Sequence, residues 1–175
     1  VEGFSILDYG AGAGILSNFI SERLSDFEYY GLEPNSLHGK ERIGIANTIF
    51  QDKRVFFGLI DEDLNFCLLK KLDVIGLISV FTHLRMEDIK KILDRLQKVF
   101  DVAPDCSIIF SCFLGPTEFQ EQPQPHIWER FYGRSFITEE GLQEYCNENN
   151  LTLNQRLSFV AAHGYVHNIF KITKD

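Results

Sequence analysis

The stretch Asp8-Tyr9-Gly10-Ala11-Gly12-Ala13-Gly14 constrains this chain more than any other part of it. It follows the short apolar run Phe4-Ser5-Ile6-Leu7, which reads as a strand. Beyond it, Ile15, Leu16, Phe19, Ile20 and Leu24 fall on helical spacing, so Ile15 to Leu24 reads as an amphipathic helix. Three glycines between a strand and a helix allow a tight turn and expose bare backbone to a ligand. The first turn of the helix adds N–H groups that have no partner within the helix.

The remaining pattern repeats the same alternation. Glu28 to Glu33 reads as the second strand, stopped by Pro34-Asn35, and Gly39 to Thr48 as a helix. Arg54 to Gly58 is the third strand, with Phe56 and Phe57 expected in the core, and Leu72 to Val80 is a nearly continuous apolar fourth. Met86 to Val99 is a strong helix with Ile89, Ile92, Leu93 and Leu96 on its buried stripe. Ser107 to Phe113 is the fifth strand, Gly115 to Gly133 a long loop, and Thr138 a helix N-cap. Leu151 to Phe159 and Val166 to Thr173 close the chain as two strands joined by a short connection. The fold predicted is α/β: a doubly wound, mainly parallel seven-stranded sheet with an antiparallel last strand.

Composition narrows the function classes. The 175 residues suit one domain over 1–175, and 45% hydrophobic with 24% charged residues is a globular balance. A net charge of −8 opposes broad binding to phosphate backbones, so no nucleic-acid partner is expected. The four cysteines form no C-x-x-C pair, and with no signal peptide or membrane span visible the expected location is the cytoplasm. The chain opens on Val1 and enters a strand almost at once, which leads to the expectation of an N-terminal cap further upstream.

The chemistry of the turn selects a ligand. The dinucleotide fingerprint G-x-G-x-x-G needs glycine where Ile15 stands. Asp8, two residues before the first glycine, would repel a pyrophosphate and suits a ligand with a cationic amino group. The run Ile6 to Gly14 resembles motif I of the class I S-adenosylmethionine-dependent methyltransferases, [D/E]-x-G-x-G-x-G, and the fold implied is Rossmann-like. Glu33 lies roughly 20 residues beyond the turn and matches the family's ribose-binding acid, whose two oxygens accept from both hydroxyls. Val55 to Asp61 resembles the next motif, with Asp61 toward the adenine amino group and Ile60 on the ring. Asp73 to Leu84 is similar to the fourth-strand segment. The resemblance thus implies S-adenosylmethionine as cofactor and S-adenosylhomocysteine as product. The cofactor residues implied are Asp8, Gly10, Ala11, Gly12, Gly14, Glu33, Pro34, Ile60, Asp61, Ser79 and Val80.

Methyl transfer asks the protein mainly for alignment and exclusion of water. A hydroxyl acceptor adds the need for a base, and His83, just past the fourth strand, is the candidate. Thr82 stands where some relatives carry a metal-binding carboxylate, so no metal is expected. The segment Cys112 to Phe136, emerging from the fifth strand, is the expected substrate wall; it crowds Glu118, Glu129 and Arg134 with His126, Trp128, Arg130 and Tyr132, the last four being the expected contacts. His163 and His167 read as structural, since no third ligand accompanies them.

Ser79-Val80-Phe81 replaces the Asn/Asp-Pro-Pro-aromatic motif of relatives that methylate bases and amides. The expectation is therefore methyl transfer to O or N of a small-molecule, sugar or lipid-linked acceptor. Two rivals are a non-catalytic S-adenosylmethionine-binding module and an NAD-dependent oxidoreductase; the glycine spacing and Asp8 oppose the second.

Overall fold

The computed structural model describes residues 3–60, 71–120, 133–160 and 164–174. The chain divides into two compact units, 1–76 and 77–175. Among the described residues there are nine strands and four α-helices.

The first unit carries β1 (Phe4–Tyr9), α1 (Ile15–Ser21), β2 (Phe27–Pro34), α2 (Leu37–Ile49), β3 (Val55–Ile60) and most of β4 (Val74–Leu77). All its strand pairs are parallel. β1 pairs β2 with Asp8 opposite Gly31, β2 pairs β3 with Glu33 opposite Leu59, and β1 pairs β4 with Asp8 opposite Gly76. The chain therefore runs outward from β1 through β2 to β3, then returns to the other side of β1. The carboxyl end of β1 is a topological switch point, the place where open α/β sheets take ligands. A core of Ile6, Ile20, Phe27, Tyr29 and Val55, with Phe50 and Phe57 packed on it, sits under that edge.

Two apolar patterns fall short of expectation here. α1 stops at Ser21, and Ile15, Phe19 and Leu24 are exposed, leaving Ile20 as its buried apolar anchor. Phe56 points away from the core and stacks on Tyr30 at 5.3 Å, because strand alternation sends it to the face opposite Val55. α2 starts at Ser36, whose hydroxyl accepts from the Gly39 amide at 3.0 Å.

The second unit carries α3 (Met86–Leu96), β5 (Ser107–Leu114), β6 (Phe119–Gln120), β7 (Ser135–Ile137), α4 (Glu139–Glu148), β8 (Leu151–Val160) and β9 (Val166–Lys174). β5 pairs β9 antiparallel, with Phe110 opposite Phe170, and β8 pairs β9 antiparallel. On its other side β5 pairs β7 in parallel, and β6 pairs β7 antiparallel. The antiparallel last strand is as expected. The two short strands β6 and β7 add to the seven expected, and both are too brief to show alternation in sequence. α3 buries Met86, Ile89, Leu93 and Leu96. Thr138 caps α4 by accepting from the Gly141 amide at 3.1 Å. No described helix is long and apolar enough to cross a membrane.

Candidate active site

The glycine turn closes in left-handed backbone, with φ of 84° at Gly10, 59° at Gly12 and 85° at Gly14. The Gly10 and Ala11 amides both donate to the Leu32 carbonyl, at 2.7 and 3.1 Å, which pins the turn to the end of β2. The second and third glycines of the motif serve different ends. A Cβ on Gly14 would lie 2.7 Å from both Phe50 and Phe57, whereas one on Gly12 would meet nothing within 4 Å. Gly14 lets the helix start pack on the core, and Gly12 faces open space.

Asp8, one residue from the end of β1, is buried. Its carboxylate accepts from the Tyr29 hydroxyl. Register explains the pairing: Tyr29 lies opposite Ile6, and Gly31, opposite Asp8, leaves room for the Tyr29 and Phe57 rings. Burial pushes the Asp8 carboxyl up to about 6; the Tyr29 bond opposes this, and the nearby Glu33 charge adds to it. Burial and the Asp8 charge also raise the Tyr29 phenol.

Glu33, one residue from the end of β2, is as buried as Asp8. One oxygen accepts from the Gly12 amide at 2.5 Å and the other from Arg42 of α2 at 3.2 Å. An ionised carboxylate has about four acceptor sites, so two remain for a further ligand. Pro34 is exposed and Ile60, opposite it in register, is buried. The first unit thus brings Asp8, Gly10, Ala11, Gly12, Gly14 and Glu33 together at one sheet edge. Tyr29 and Arg42 belong to the same cluster and escaped sequence reasoning. The signal for Tyr29 was its inward position on β2, two residues from the one facing Asp8.

Ser79, Val80 and His83 lie in the second unit. Ser79 adopts φ 61°, donates its amide to the Ser111 hydroxyl at 2.7 Å and receives the Thr82 hydroxyl on its carbonyl at 2.9 Å. This turn ends the fourth strand at Leu77, earlier than the apolar run suggested. The half-buried His83 places Nδ1 3.3 Å from the Gly133 carbonyl. A carbonyl only accepts, so Nδ1 carries the hydrogen and, in the neutral ring, Nε2 carries the lone pair. His167 is buried between Phe113 and Phe159, a packing role. Asp61 and the wall residues His126, Trp128, Arg130 and Tyr132 lie outside the described residues. Among the described residues no group of three His, Cys, Asp or Glu side chains is placed to hold a metal ion.

Residues 2–156 match the family described as methyltransferase domain. The chain belongs to that family. The resemblance read in the glycine turn is thereby upheld. No curated protein sequence gives a significant match. Among solved structures, an S-adenosylmethionine-dependent methyltransferase from Methanosarcina mazei aligns with TM-score 0.73 at 15% identity, over 99% of this methyltransferase domain and 93% of that chain. The magnesium protoporphyrin IX methyltransferase of Synechocystis, solved with S-adenosylhomocysteine, gives 0.65 at 16% identity over 99% and 75%. A 1,6-didemethyltoxoflavin-N1-methyltransferase from Burkholderia thailandensis, solved with its substrate and S-adenosylhomocysteine, gives 0.65 at 16% over 99% and 72%. At these identities the likeness is one of fold.

Proposed function

We propose that this methyltransferase domain binds S-adenosylmethionine at the carboxyl edge of β1 and β2 and transfers its methyl group to O or N of a small-molecule, sugar or lipid-linked acceptor. The observation that carries the cofactor reading is the pair of buried carboxylates, Asp8 and Glu33, flanking a turn whose central glycine faces open space.

The residues fit such a ligand. Asp8 is an acid buried at a cost, held by one phenol, and a cation placed beside it would favour its ionised form. Gly12 leaves a gap where any side chain would stand, so a ligand can lie against backbone there. Glu33 keeps acceptor capacity for two hydroxyls beyond the Gly12 and Arg42 bonds. Asp8 would hold the amino group, Gly10 to Gly14 the chain beside it, and Glu33 the ribose. When bound, the cofactor supplies an electrophilic methyl on a sulfonium centre.

His83 is the proposed base for a hydroxyl acceptor. The contact of Nδ1 with the Gly133 carbonyl supports this reading, since it favours the tautomer in which Nε2 carries the lone pair. For an amine acceptor the same ring would serve only to orient. We also assign the chain to the cytoplasm: Cys106, Cys112 and Cys146 are free, buried thiols, cysteine usage at home in a reducing compartment.

The test is calorimetric titration of the chain with S-adenosylmethionine and S-adenosylhomocysteine, alongside Gly12→Arg and Glu33→Ala. Binding that both substitutions abolish or weaken supports the site. Absence of binding by folded wild-type protein refutes it.

A further inference from the structure

The second unit holds a cleft of about 350 Å³, most of whose lining comes from the segment Cys112 to Phe136 expected as the substrate wall. Its walls are Arg85 and Met86 at the start of α3, Glu118, Phe119 and Gln120 on and beside β6, and Ser135 and Phe136 on β7. We infer that this cleft receives the methyl acceptor, and that the acceptor's bound part is an uncharged ring carrying adjacent hydroxyls, of which a pyranoside is the simplest member. The inference rests on the methyltransferase reading above.

Size comes first. Small-molecule sites run from about 300 to 1,000 Å³, so the cleft suits one or two sugar rings better than a large ligand. Charge comes next. Arg85 can only donate and Glu118, when ionised, can only accept, while Gln120 does both. An anionic ligand would meet the Glu118 carboxylate and a cationic one the Arg85 guanidinium. A neutral ligand offering hydroxyls, each both donor and acceptor, satisfies all three. Arg85 Nε already reaches Gln120 Oε1, but at 3.3 Å and in an exposed position, a bond readily exchanged for ligand hydroxyls.

The aromatic pair narrows the ring type. Phe119 and Phe136 stack face to face, centroids 4.3 Å apart and planes 5° from parallel. Phe119 is still 45% exposed, so the stack presents a phenyl platform to water beside the polar groups. A pyranoside has a C–H face for such a platform and a hydroxyl rim for its neighbours. Ser135 supplies the last observation. It is 1% exposed, and its hydroxyl is the buried side-chain polar atom without a hydrogen-bond partner among the described residues. Such a group carries a cost that a ligand hydroxyl would relieve after a turn about χ1. The His83 ring joins this wall through Gly133, two residues before Ser135, and Arg85 follows His83 by two.

The experiment follows backbone amide shifts of the whole chain by NMR. The additives are methyl glycosides of a hexose, a 6-deoxyhexose and a pentose, with phenol, benzoate and benzylamine as competing chemistries. S-adenosylhomocysteine is titrated separately. The expected result is saturable shifts at Phe119, Gln120, Ser135 and Phe136 with a glycoside, weakened about tenfold by Phe119→Ala and less by Gln120→Ala. Both side chains are exposed, so neither variant threatens folding. No glycoside effect in protein that binds S-adenosylhomocysteine overturns the inference and leaves the cofactor reading standing. Tighter binding of phenol, benzoate or benzylamine at these amides also overturns it. Glycoside binding without S-adenosylhomocysteine binding leaves a glycoside cleft but overturns its role as the acceptor site, because the cofactor reading falls with it.

Discussion

The ends of β1 and β2 place two carboxylates on neighbouring parallel strands, and the surroundings treat them in opposite ways. Both are buried. Glu33 has a backbone amide and a guanidinium on its two oxygens, so its charge is met within the protein. Asp8 has one neutral phenol, and burial pushes it up to about 6. Equal burial therefore does not imply equal cost: the number and charge of the donors decide whether a buried acid is part of the scaffold or is kept under-partnered. In this reading Glu33 supports the turn before any ligand arrives, while Asp8 gains its missing partner from the ligand.

The sharpest way to break that contrast is to neutralise each acid in turn. Glu33→Ala should weaken S-adenosylmethionine binding about a hundredfold in calorimetry, since it removes a charged acceptor worth roughly 1.5–3 kcal/mol per hydrogen bond. It should also lower the thermal midpoint, because the Gly12 amide and Arg42 lose their acceptor.

Asp8→Asn should do the reverse to stability. The gap between the ordinary 3.8 and about 6 corresponds to roughly 3 kcal/mol of cost at neutral pH. Asn keeps an acceptor for Tyr29, so denaturant unfolding at pH 7 should show a gain of about 1–3 kcal/mol. Cofactor affinity should fall about tenfold at the same pH. A variant both less stable and unaltered in affinity would end the distinction between the two acids.

The third prediction concerns pH. From about pH 4 to about 6 the folded chain keeps a proton on Asp8 that the unfolded chain has released. This carboxyl's contribution to stability therefore falls as pH rises through that window. Binding of a cationic amino group runs the other way, because it needs the ionised form. Affinity should rise by up to about tenfold per pH unit below 6, level off above it, and lose this dependence in Asp8→Asn.

Tyr29→Phe removes the one neutral donor on Asp8 and should move the midpoint of that affinity profile upward, by about one pH unit at most. The smallest effect is expected at Arg42. Its guanidinium is about half exposed, and Arg42→Met should change affinity by less than about threefold, as befits a partly solvated ion pair.

Much of the first unit was legible because its information is local. Asp8, Gly10, Gly12 and Gly14 sit within seven residues, and Glu33 follows at the separation a βαβ unit imposes. The bond from Tyr29 to Asp8 was not legible, since it depends on a strand register that the glycine at position 31 leaves open. Phe56 was misread as core because a short apolar run hides which residue faces inward. In the second unit, His83 could be singled out but not its partner, the Gly133 carbonyl, 50 residues away. The segment Cys112 to Phe136 could be read as a substrate wall, but not the shape of the cleft that it lines. Its walls come from two short strands, β6 and β7, whose pairing brings Gln120 opposite Ser135 without any periodic pattern to announce it.

Gly12 and Gly14 also differ in what a lineage could do with them. A side chain at position 14 collides with the Phe50 and Phe57 rings and strains the backbone at φ 85°, so a mutation there costs packing as well as local strain. A side chain at position 12 has open space and strains only the local backbone, at a cost of about 1–3 kcal/mol. Descendants that abandoned the chemistry could therefore drift at the second glycine while keeping the third. Position 12 is thus the letter to read first when sorting active copies of this domain from those that have kept its shape for another purpose.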